Sequence, residues 1–131
     1  MGDFKQALAF YQSALARHPH HYPLVYGYGG TLILAGQAQQ AVDFAAARSS
    51  QRPDDARLWK LLAQAHAALG HKLASHRAEA EAFAVQGNLG AAVEQINLGL
   101  KAGDGDFYEL SAAEARRREW QETLTAENRK K

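Results

Sequence analysis

Residues 59–66 read WKLLAQAH, and residues 25–32, 34 positions earlier, read VYGYGGTL in the same register. Trp59 and Leu62 precede the small Ala63, and His66 follows it; Val25, Tyr28, Gly29 and Leu32 hold the same four places one period upstream. A small residue among large ones at helical spacing lets two helix backbones approach closely while its neighbours fill the space around them. Other landmarks recur at the same interval: Gly2, Gly36 and Gly70; Ala7 and Ala41; Pro19 and Pro53. Glycine suits the turn between two helices, and proline after the second helix cannot continue it, so each period reads as a helix hairpin.

The period and the order of parts, W-x2-L-G-x2-Y, then A-x3-F, then P, resemble the tetratricopeptide repeat (TPR) family. The second-helix signature is Ala7 with Tyr11, Ala41 with Ala45, and Ala92 with Ile96, followed by Pro19, Pro53 and Asp104. The resemblance covers nearly the whole chain. It implies an all-α fold, a TPR α-solenoid of about seven antiparallel helices in a right-handed superhelical stack, with a charged C-terminal capping helix. Helices are predicted near 3–17, 22–35, 38–50, 55–69, 72–86, 89–102 and 107–126. Asp54 and Asp55 after Pro53 offer an N-cap, and Asp106 with Glu109 has capping-box spacing.

The stretch GDFKQALAFYQSALARHP, residues 2–19, then reads as the turn glycine, second helix and closing proline of a hairpin whose first helix lies upstream. The expected organisation is one domain over 1–131. It comprises this half-hairpin (2–19), a full repeat (20–53), a repeat with a shared helix (54–87), a half repeat (88–104) and a capping helix with tail (105–131). The shared helix follows from Gly70 and Gly87 being only 17 residues apart, which makes HKLASHRAEAEAFAVQ, residues 71–86, one helix in two hairpins. On the first helix, Leu8, Tyr11 and Leu15 are expected to form an apolar stripe lacking its usual neighbour, a face suited to pairing with a second copy as a homodimer.

Composition narrows the function. Fifteen Lys and Arg against fourteen Asp and Glu leave a net charge of +1, too little field to collect nucleic acid or an anionic membrane. Arg116, Arg117 and Arg118 are interleaved with Glu109, Glu114, Glu119, Glu122 and Glu127, a mixed solvated face, so nucleic acid is not an expected partner. No transmembrane segment is expected, because no apolar run approaches about 18 residues. The absence of cysteine removes disulfides and thiol nucleophiles. Neither H-E-x-x-H, G-x-S-x-G nor a Gly-x4-Gly-Lys loop is present, so no catalytic site is expected in this chain.

Six histidines invite a metal reading. Pro19 interrupts His18, His20 and His21, which have no carboxylate nearby in sequence. His66, His71 and His76 are five apart, not the four that put two imidazoles on one helical face, and His66 holds a packing position. No cofactor and no metal ligand are therefore expected.

In a curved stack the first helices of successive hairpins line the concave side. The 34-residue frame places Tyr26, Gly30 and Ile33 there from one repeat, Arg57, Lys60 and Gln64 from the next, and Arg77 with Glu81 from the shared helix. The expected partner is a protein or an extended peptide, its carboxylates paired to Arg57, Lys60 and Arg77 and an apolar group set against Tyr26. The TPR subclass that clamps a C-terminal carboxylate with Lys and Asn is a poor fit, because Gly27 and Leu61 occupy two of those positions.

Residues 75–122 carry a second likeness, in S-H-R-A-x-A-E-x-x-A, the Gly87 turn and D-F-Y-E-L-S-x-x-E-A-R. They resemble the C-terminal TPR region of BepA-type periplasmic zinc metallopeptidases. That resemblance implies an exported parent whose zinc sits in an upstream H-E-x-x-H domain, with this region holding clients or partners during outer-membrane protein assembly or quality control. The periplasm is the compartment it implies. The competing expectation is a non-enzymatic scaffold or a secretion or pilus assembly factor, with a cytoplasmic location if the protease likeness fails.

Overall fold

A computed structural model describes residues 3–130, and the turn role read for Gly2 lies outside them. Among the described residues there are seven α-helices and no strand: α1 (Phe4–Arg17), α2 (Tyr22–Leu34), α3 (Ala38–Gln51), α4 (Ala56–Ala68), α5 (Lys72–Val85), α6 (Leu89–Ala102) and α7 (Phe107–Arg129). α7 runs three residues past its predicted end at 126, since neither glycine nor proline follows Gly105 to stop it. Asp3, Asp55, Asn88 and Asp106 cap their helices through the side chain, the last in a reciprocal box with Glu109. His71, at the start of α5, makes no such bond from its own side chain.

Three turns share one geometry. At Gly70, φ is +76°, the Gly70 N–H donates to the Ala67 carbonyl and the His71 N–H to that of His66. This is the Schellman arrangement, which needs a left-handed residue and satisfies the carbonyls left open at the end of α4. The turns at Gly36 and Gly87 repeat it, with Gln37 bonded to Leu32 and Asn88 to Phe83.

Close packing follows the small residues. A Cβ on Gly29 would collide with the Leu61 side chain, so α2 and α4 approach here only because residue 29 has none. The first core joins Leu32, Ala41, Val42, Ala45, Leu61, Leu62 and Ala78. A second joins Leu73, Ala80, Ala92, Ile96, Ala113 and Trp120. α5 enters both, through Ala78 on one side and Leu73 and Ala80 on the other. A helix packed on two sides needs small residues on each, and Ala74, Ala78, Ala80, Ala82 and Ala84 supply them.

The order of packing changes at that helix. α2 touches α4, as first helices of successive hairpins do, but among the described residues α4 and α6 do not pack together. Instead α5 touches α7, so α5 is second helix to α4 and first helix to α6.

The α1 stripe is not an open face. Leu15 is buried with Val25 and Leu58, Leu8 packs against the first core, and Tyr11 stands over Gly27 and beside Tyr28. Those three residues cover α2 because α1 curls onto its successor. Phe10, 61 % exposed, is the apolar side chain α1 turns outward.

Candidate protein-binding groove

Arg57, Lys60 and Gln64 lie at i, i+3 and i+7 on α4 and so share one face. Opposite them α2 presents Tyr26 and Gly30. Together with Leu61 these residues enclose a depression of about 260 Å³. It runs into a second of about 420 Å³, which shares Tyr26, Gly30 and Gln64 and adds Ile33, Leu34, Gly27, Thr31 and Tyr11. The result is one continuous groove along α2 and α4, apolar toward α1 and cationic toward the start of α4. Gly30 shapes it by omission: a Cβ there would meet nothing within 4 Å, so the position is open space.

Tyr26 is fixed in place. Its hydroxyl donates to Asp55 Oδ2 at 2.5 Å, and the Arg57 guanidinium stacks 4.2 Å from its ring centroid. Burial pushes the phenol up to about 12, with the Asp55 hydrogen bond and charge adding to the effect. Asp55 is fully engaged: Oδ1 accepts the Arg57 and Leu58 N–H groups, and Arg52 lies 3.6 Å from Oδ2. Among the described residues, neither Arg57 nor Lys60 has a carboxylate within ion-pair distance. The groove therefore offers two uncompensated cations beside an aromatic, apolar floor.

Arg77 and Glu81 lie elsewhere. They line a cleft of about 170 Å³ with Trp59, Leu62, His66, Ala74 and Ala78. Trp59, Leu62 and His66 each stand two residues beyond Arg57, Lys60 and Gln64, a rotation of roughly 200° around α4. The structure thus brings six of the eight predicted groove residues together and sets Arg77 and Glu81 on the opposite side of α4. The cause is the double role of α5, whose outward side belongs with α7. Glu81 is moreover occupied there by a two-pronged pair with Arg116, at 2.7 and 2.8 Å, and Glu119 holds the same guanidinium. These carboxylates, Glu81 foremost, raise the Arg116 pKa further above its ordinary value. His66 is shifted below its ordinary value by burial and then by the charge of His71.

Sequence reasoning passed over Tyr11, Gly27, Thr31, Leu34 and Leu61 as groove residues. Leu34, the last residue of the apolar α2, is 72 % exposed, which the structure shows and the sequence pattern does not.

The helices and their stacking define an all-α, TPR-like helical-repeat solenoid. In agreement with this, the tetratricopeptide repeat family model matches residues 1–65, a span that ends within α4. No curated protein matches the chain. The repeat suggests a protein–protein interaction module, with protein as the coarse class of partner. No helix among the described residues is long and apolar enough to cross a membrane.

Proposed function

We propose that the α2–α4 groove binds an extended peptide segment of a partner protein, one that carries an acidic side chain next to an apolar one. The observation that carries this reading is the pair Arg57 and Lys60, without carboxylate partners among the described residues, beside the pinned ring of Tyr26. Guanidinium and ammonium groups at the rim recognise carboxylates, and Ile33, Leu34 and Tyr11 offer the apolar contact. Fluorescence anisotropy with labelled peptides, acidic–apolar against basic–apolar, tests it. Acidic peptides are expected to bind more tightly, and Arg57→Glu with Lys60→Glu to remove that preference. Gly30→Trp, which fills the open space, is expected to block binding with helix content intact. Equal binding of both peptide classes, or unaltered binding by the Gly30 variant, would sink the reading.

The wider setting proposed is the C-terminal TPR region of an exported zinc metallopeptidase acting in outer-membrane protein assembly or quality control. It rests on the likeness of residues 75–122 described above, and the periplasm is its proposed location. The coding sequence upstream of Met1 decides: an H-E-x-x-H helix behind a signal peptide agrees with it, and their absence removes it.

A further inference from the structure

The turn between α4 and α5 holds two imidazoles close together, their planes inclined at 44°. His66 Nδ1 and His71 Nδ1 are 3.3 Å apart, within hydrogen-bond distance of each other, with ring centroids at 5.5 Å. Two nitrogens bound at 2.0–2.1 Å to one tetrahedral zinc ion lie about 3.3 Å apart, so the observed separation equals the bite of such a site. The geometry points to a divalent-metal site in which His66 and His71 bind one Zn²⁺-class ion through their δ-nitrogens.

The pairing is a product of the turn. In a Schellman motif the residue after the left-handed glycine lies against the residue five positions before it, a contact that is usually hydrophobic. The equivalent pairs are Leu32 with Gln37 at Gly36 and Phe83 with Asn88 at Gly87. Only at Gly70, among these three turns, are both members metal ligands. The His71 N–H donated to the His66 carbonyl at 3.0 Å, with the Gly70 N–H on Ala67, holds the two side chains together before any ion arrives. Little ordering is left for the metal to impose.

His71 is exposed, which gives the ion a path from solvent, and half-buried His66 lies at the rim of the cleft lined by Arg77. Glu109 of α7 contributes a favourable negative charge at His66, and Arg77 an opposing positive one. No group of three or more His, Asp or Glu comes together among the described residues, so the ion keeps water, or a ligand from a bound partner, in its remaining positions. Nδ1 ligation leaves each Nε2–H free to donate.

Calorimetric titration of the tag-free chain with zinc chloride tests the site. One zinc ion per chain is expected. His71→Asn and His66→Phe copy the residues this chain already uses in the Gly87 turn and so keep the fold, which circular dichroism verifies. Each is expected to weaken binding at least about tenfold, whereas replacing His18, His20 and His21 together by Ala leaves it unchanged. Zinc-dependent shifts of the His66 and His71 ring nitrogens in the unaltered chain give a readout independent of the variants. Absence of binding at millimolar zinc, undiminished binding by both variants, or loss only in the triple variant would each overturn the site.

Discussion

The Asp104 carboxylate accepts the Lys72 backbone N–H at 2.6 Å, and with its other oxygen that of Leu73 at 2.9 Å. The α6–α7 connection thereby caps α5, whose own first residues lack a side-chain cap. An anion at this end also complements the positive pole of the helix. The contact ties the second half of the chain back to the turn that starts the shared helix.

Replacing Asp104 by Ala is expected to lower the thermal midpoint and to raise hydrogen exchange at Lys72 and Leu73. The bond to the Leu73 N–H, the largest cause, and that to Lys72 hold the carboxyl below its usual value of 3.8. Its contribution is present above the unfolded-state value and lost as pH falls through the lower folded-state one. Melting curves from pH 7 downward should show the two proteins converging in acid; a constant gap would contradict the cap.

Adjacent glycines should behave differently. Gly29→Val forces a side chain into Leu61 and is expected to cost about 1–3 kcal/mol, partly relieved in the double variant with Leu61→Ala. Gly30→Ala meets open space and gains helix propensity, so it should be neutral or stabilising by up to about 1 kcal/mol. Urea denaturation of the four proteins checks both statements.

Tyr26 should be a late-titrating tyrosine. Its phenol, raised to about 12, favours the neutral form in the folded state. That stabilisation is complete below the unfolded value near 10 and disappears as pH rises through about 12. Absorbance at alkaline pH should lose this component in Tyr26→Phe, which also gives up a hydrogen bond worth about 1 kcal/mol.

Trp120 is 4 % exposed in the second core, with the Arg116 guanidinium 4.6 Å from its ring centroid. Trp120→Ala is expected to cost about 3–5 kcal/mol. It also leaves Trp59 as the sole tryptophan, a reporter in the first half. Because α5 belongs to both cores, Trp59 fluorescence and helix content should be lost in one transition. Two separate transitions would show that the halves melt independently.

The hairpins were legible because glycine and small residues repeat at the interval the packing requires. Gly29 and Ala63 announced close helix approach, Gly70 and Gly87 announced turns, and even the sharing of α5 showed in the short step between those two glycines. What sequence reading missed is three-dimensional in origin. Asp104 looked like the end of a hairpin, yet it acts on a backbone 31 positions away. Arg77 and Glu81 were assigned to the same face as Lys60 by extending one frame through α5, where the packing order changes. The closeness of His66 and His71, ring centroids 5.5 Å apart, comes from the turn between them, which spacing within one helix does not describe.

The half-period step at α5 also bears on how such chains diversify. Gaining or losing a single helix, rather than a hairpin, leaves every neighbour with a packed partner yet exchanges the inner and outer roles of all helices that follow. Here the α5–α7 packing, with Arg116 paired to Glu81, lies on the side of α4 opposite the α2–α4 groove.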